Sequence, residues 1–73
     1  MSIISLLSDF GYKDPYVAEI KAVILSISPH VRIVDVTHEV EKFSIRMGAY
    51  ALASAAPYFP PNTVHVAVVD PGV

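Results

Sequence analysis

The sequence predicts an α/β fold: a β-α-β-α-β unit in three layers around a parallel sheet, forming the N-terminal part of a larger α/β domain. Three observations lead there. Three apolar runs have strand length, two segments between them repeat at helical spacing, and Gly, Pro or Asp interrupts the chain at the junctions. Alternation of this kind calls for parallel strands joined by right-handed crossovers.

The first strand is expected over residues 2–7, a run short and apolar enough to be buried on both faces. Gly11 and Asp14-Pro15 follow; Asp14 suits a helix N-cap, and Pro15 the first helical position, where a missing N–H costs nothing. Val17, Ile20, Ile24 and Ile27, with Val23 beside them, then form one apolar helical stripe that Pro29 ends. Residues 31–36 (Val-Arg-Ile-Val-Asp-Val) read as a β-branched second strand. Ser44 can cap a second helix running to about Ala56, before Pro57. Its stripe of Ile45, Gly48, Ala49, Leu52 and Ala56 is mostly small, which predicts a close approach to the sheet. Pro60, Pro61 and Asn62 turn the chain into a third strand over residues 63–69.

Composition narrows the functional classes. The chain has 73 residues, of which 53% are hydrophobic and only 16% charged. So short a chain buries only roughly 60% of its unfolded surface, and this mixture leaves apolar material to be covered from outside. Three parallel strands would also leave two open sheet edges. We therefore expect residues 1–73 to be a partial N-terminal domain that further chain or other subunits complete. The formal charge is −2, and Lys13, Lys21, Arg32, Lys42 and Arg46 are scattered, so a nucleic-acid partner is not expected. Without cysteine there are no disulfides, thiolate metal sites or Cys nucleophiles. No secretory leader and no apolar run of about 20 residues is present, so no membrane association is expected and a cytoplasmic location is.

Chemistry concentrates at strand ends. Asp9 follows the first strand and Asp70 the third, where ligands of open parallel sheets bind. A carboxylate at Asp9 accepts two hydrogen bonds well, as from a ribose diol; alternatively it caps the turn through Gly11. Asp70, ahead of Pro71-Gly72, could orient a water or merely form the turn. Asp35 reads as a solvent-facing or edge position within the second strand, His65 as packed and His30 as surface. His38 would emerge near Asp9 and Asp70, a possible metal set, but no short His pair has ligand spacing and no metal is expected. The three glycines, at 11, 48 and 72, form neither a dinucleotide nor a P-loop fingerprint, and no nucleophile elbow is present. Phe10, Tyr12, Tyr16 and Phe43 flank the loops and could stack on a ring or simply pack.

Ser8-Asp9-Phe10-Gly11 with Asp14-Pro15-Tyr16-Val17, Val34-Asp35-Val36-Thr37-His38-Glu39, and residues 63–73 ending in Asp70-Pro71-Gly72-Val73 together resemble the S-adenosyl-L-methionine hydroxide adenosyltransferases. The resemblance runs along the whole chain in order and spacing. Fluorinating and chlorinating enzymes are relatives; the fluorinating form has Tyr where this chain has Asp70, and the Asp-Pro-Gly-Val form is that of the hydrolytic branch. The family implies hydrolysis of S-adenosylmethionine to adenosine and L-methionine, with water or hydroxide attacking ribose C5′ and no cofactor. It implies that Asp9 holds the ribose hydroxyls, that Asp14 and Tyr16 hold the methionine end, and that Phe43 is an aromatic beside the substrate. It makes Asp70 the Asp of an Asp-Arg-His set that handles the water. The Arg and His of that set are expected beyond Val73, as is a C-terminal β-barrel, and the family's sites form between subunits of a homotrimer. On those grounds the 73-residue chain alone is expected to have little or no activity. The competing expectations are a nucleoside-binding module without catalysis and a structural fragment whose apolar surface drives assembly.

Overall fold

The computed structural model describes residues 2–72. In chain order these form β1 (Ile3–Ser8), α1 (Tyr16–Ile27), β2 (Arg32–Thr37), α2 (Ile45–Ala55) and β3 (Val64–Val68), with a single 3-10 turn at Ala56–Tyr58 ahead of β3. The sheet is parallel throughout and ordered β2-β1-β3. The expected β-α-β-α-β unit is the one found, with each strand boundary within a residue of its sequence pattern.

Register fixes the layers. Leu6 pairs with Asp35 on β2, while Leu7 pairs with Ala67 on β3. Paired residues share a face and neighbours along a strand alternate, so Asp35 and Ala67 lie on opposite sides of the sheet. Lys21 of α1 reaches Asp35 at 2.6 Å. A Cβ placed on Gly48 of α2 would stand 3.6 Å from Leu7 and 2.9 Å from Val69. The two helices therefore cover opposite faces, with β1 sandwiched between them and Ser5, Leu6, Leu7 and Ser8 fully buried. The chain leaves β1 for β2 on one side, then crosses back past β1 to β3. That reversal opens a crevice at the carboxyl ends of β1 and β3.

Two local expectations change. Asp14 is not the N-cap: Pro15 occupies that position, its carbonyl accepts the Glu19 N–H at 2.9 Å, and no side chain caps the helix. The α1 stripe is also buried only at its start. Val17 is buried, Ile20 and Ile24 are half-buried, and Val23 and Ile27 are exposed. On α2 the cap and the close approach hold, but its stripe too is covered only in part: Gly48 is buried, Leu52 and Ala56 are half-buried, and Ile45 and Ala49 are exposed. Ser44 Oγ accepts the Met47 N–H at 3.2 Å, and Gly48 is buried where the helix meets the sheet. The chain continues beyond α2 as the 3-10 turn, which accommodates Pro57 in its first turn.

Candidate functional site at the carboxyl edge of the sheet

Asp9 sits one residue past β1 and is 6% exposed. Its Oδ2 accepts the Asp70 N–H at 3.2 Å, joining residues 61 apart in sequence across the crevice. Among the described residues no buried side-chain oxygen or nitrogen lacks a partner, so Oδ1, which accepts no such bond, remains solvent-accessible. The alternative in which Asp9 caps its own turn does not hold, because the Gly11 N–H goes to the His38 carbonyl at 2.7 Å. Gly11 has φ +68°, a conformation that glycine adopts without strain and that reverses the loop behind Asp9.

Asp70 is exposed, and its Oδ1 accepts the Gly72 N–H at 2.9 Å. The turn-forming role and an outward carboxylate coexist, since one oxygen orients the group and Oδ2 has no hydrogen-bond partner among the described residues. Val73, the last residue of that motif, lies outside the described residues.

Phe43 adopts φ +65°, an unfavourable conformation for a bulky residue. Its ring is 59% exposed and backs onto Gly72, where a Cβ would come within 3.1 Å of it. The loop after β2 thus leans on the loop that carries Asp70, and only a residue without a side chain fits between them. Backbone strain of this kind concentrates at functional sites.

Asp14 and Tyr16 do not touch Asp70. They line a groove of about 580 Å³ with Phe10 and Lys42, and a second groove of about 550 Å³ adjoins it, lined by Asp9, Asp14 and Lys42 among others. Tyr16 lies tilted against Phe10, with ring centroids 6.1 Å apart. Freed from capping, Asp14 presents its carboxylate at the junction of the two grooves. All five candidate residues thus lie along one edge of the sheet, in two adjacent groups.

Sequence reasoning missed a buried polar chain beneath this edge. Ser8 Oγ and His38 Nδ1 are 2.6 Å apart, His38 Nε2 and Asp35 Oδ1 2.9 Å, and Asp35 Oδ2 and Lys21 Nζ 2.6 Å. Asp35 does lie on an edge strand, as expected, but it is half-buried and ion-paired rather than facing solvent. Burial raises its carboxyl pKa, but hydrogen bonds from Lys21 and His38, with the charge of Lys21, outweigh that and hold it below the ordinary 3.8. The available signal was the polar pair Asp35 and His38 flanking an apolar strand end, since buried polar groups need partners. His38 turns inward to this chain, and among the described residues no group of three His, Cys, Asp or Glu side chains is arranged to hold a metal. His65 is exposed, yet its Nδ1 pairs with Ser5 Oγ at 2.6 Å and its ring meets Phe59 edge-on. Lys42, at the junction of the grooves, was also missed; nothing in its local sequence marks it.

Comparison with known proteins bears on the family and the fold. An (R)-S-adenosyl-L-methionine hydrolase of Methanocaldococcus jannaschii is 47% identical over 77 residues, covering 100% of this chain and 29% of its own length. A fluorinase of an Actinoplanes species is 38% identical over 69 residues, covering 94% of this chain and 23% of the fluorinase. A crystal structure of an uncharacterized conserved protein from Thermotoga maritima superimposes with a TM-score of 0.91 at 48% identity, over 96% of this chain and 27% of that one. The chain thus spans less than a third of the length of the curated relatives it matches. The description of the SAM hydroxide adenosyltransferase N-terminal domain matches residues 4–73, and the chain belongs to that family.

Proposed function

We propose that this chain is the N-terminal part of an enzyme that hydrolyses S-adenosylmethionine to adenosine and L-methionine. The observation that supports the reading is the Asp70 N–H to Asp9 Oδ2 bond, which ties the Asp9 carboxylate to the backbone of the loop bearing Asp70 at the strand ends. Asp9 Oδ1 receives the ribose hydroxyls. Asp14, with Tyr16 beside it, takes the methionine end in the neighbouring groove, where its carboxylate suits an ammonium. Phe43 flanks the substrate with its exposed ring.

The leaving group is already a sulfonium, so the reaction needs no strong general acid. Water attacks C5′, the C5′–S bond breaks, and its electron pair passes to sulfur to give neutral methionine. The water proton leaves toward a base, and adenosine results. Asp70, oriented through Oδ1, positions and polarises that water with Oδ2. Its Arg and His partners belong to chain beyond these residues. No metal or organic cofactor, nucleic acid or membrane takes part in this reading. The whole protein acts as a cytoplasmic homotrimer, and the apolar side chains exposed on α1 and α2 support an assembly that covers them.

The test is incubation of the full-length protein with S-adenosylmethionine, followed by chromatography. Adenosine and methionine in equal amounts, without added metal or halide, are expected. A melting shift with adenosine but no turnover would replace hydrolysis by nucleoside binding.

A further inference from the structure

We infer that Ser8, His38 and Asp35 are positioning residues, a buried relay that fixes the direction of the Asp9 carboxylate; this rests on the reading of Asp9 as the ribose-holding group. The relay starts on α1, where Lys21 donates to Asp35 Oδ2, and runs inward through His38 to Ser8. It ends on the backbone of the site loop, where the Phe10 N–H donates to Ser8 Oγ at 3.3 Å.

A neutral imidazole at His38 gives the relay one hydrogen-bond direction along its length. An ionised Asp35 only accepts, so His38 Nε2 carries the hydrogen and Nδ1 accepts from the Ser8 hydroxyl. The Ser8 oxygen then keeps its lone pairs for the Phe10 N–H. One imidazole hydrogen satisfies every member. The His38 carbonyl meanwhile accepts the Gly11 N–H at 2.7 Å. A single residue thus holds the loop from both ends, through its side chain to Ser8 and its backbone to Gly11. Asp9 lies between these clamps, and its only freedom is rotation of a side chain already tied to the Asp70 N–H.

Ser8, His38 and Asp35 have the connectivity of a hydrolytic triad, but Ser8 is 0% exposed and cannot meet a substrate. Nor is stability an adequate reason for the chain. Apolar side chains of similar volume fill such space at least as favourably, whereas a satisfied polar network imposes one orientation. The orientation imposed here is that of the loop bearing Asp9.

The experiment uses the full-length protein, with Ser8→Ala and Asp35→Asn made singly and in an Asp9→Ala background. Steady-state kinetics and adenosine calorimetry supply the readouts. Ser8→Ala is expected to raise KM and the adenosine Kd about tenfold while kcat changes less than about twofold, the signature of lost ground-state and transition-state binding alike. In the Asp9→Ala background that effect disappears, because the carboxylate being aimed is gone. A merely structural relay would lower Tm equally in both backgrounds and leave KM unchanged at temperatures where the variant is folded. Should Ser8→Ala not fold, Asp35→Asn breaks the chain at its partly exposed end, and the same split is expected at about threefold. An unchanged KM in a folded variant of a working enzyme overturns the relay alone. A wild-type protein that neither forms nor binds adenosine overturns the reading of Asp9, and the relay with it.

Discussion

On the proposed reading single carboxylates carry the function, and their surroundings separate the roles assigned to them. Asp70→Asn in the full-length protein keeps the turn bond from Gly72 but weakens the pull on water, so kcat should fall about a hundredfold or more with KM nearly unchanged. Asp9→Ala should instead raise KM at least about tenfold, because the proposed ribose contact acts in ground and transition states alike. Equal effects on both parameters in both variants would contradict this division. Asp35 makes a different prediction, about acid. Its folded pKa lies below the ordinary 3.8, so its stabilising contribution is complete above that value and is lost as pH falls through the lower, folded one. Melting temperatures of wild type and Asp35→Asn should therefore differ near neutrality and converge below about pH 4. Asp9 and Asp70 were legible in the sequence because each stands alone at the end of an apolar run. Asp35, His38 and Ser8 were not, because their partnership spans 30 residues and depends on which face of the sheet each one takes.

Helix α2 shows how far an element can be read in advance, and α1 shows where such reading stops. The cap at Ser44 and the close approach at Gly48 describe local chemistry, and both appear as the sequence implies, while Ile45 and Ala49 of the same stripe stay exposed. Ser44→Ala should cost about 1 kcal/mol, measured by denaturant unfolding. Gly48→Ala pits a helix-propensity gain of about 1 kcal/mol against overpacking of roughly 1–3 kcal/mol, since the new methyl would stand 2.9 Å from a Val69 methyl. Packing should win, lowering Tm, and the displaced Val69 adjoins Asp70, so kcat should fall too. The start of α1 was misread because Asp-Pro fits either side of a helix boundary, and one residue decides whether the carboxylate is used as a cap. Its outer stripe has helical periodicity, but periodicity alone cannot say what a face packs against.

At the scale of the molecule the notable property is how little is covered. Among the described residues the buried apolar side chains are Leu6, Leu7, Val17 and Val40, while Ile27 is 78% and Tyr58 90% exposed. Both flanking strands also leave an outer edge unpaired within the described sheet. Expressed by itself, the 73-residue chain should sediment as species heavier than a monomer and bind a dye that reports apolar surface. A monomer that melts cooperatively and binds no dye would contradict this. The sequence foretold uncovered apolar surface through its composition, but it could not say which faces, because that depends on strand order.

The central place of β1 also has a consequence in time. Of these three strands, the first to be synthesised is the one that both others must find, at separations of about 30 and 60 residues, as the pairs Ile3 with Arg32 and Ile4 with Val64 show. Until β3 emerges, one edge of this apolar strand stands open, and Asp9 lacks the N–H of Asp70 that ties it in place. The nascent chain must therefore keep this apolar strand from wrong partners until β3 arrives, and the candidate site at the strand ends is among the last features to take shape.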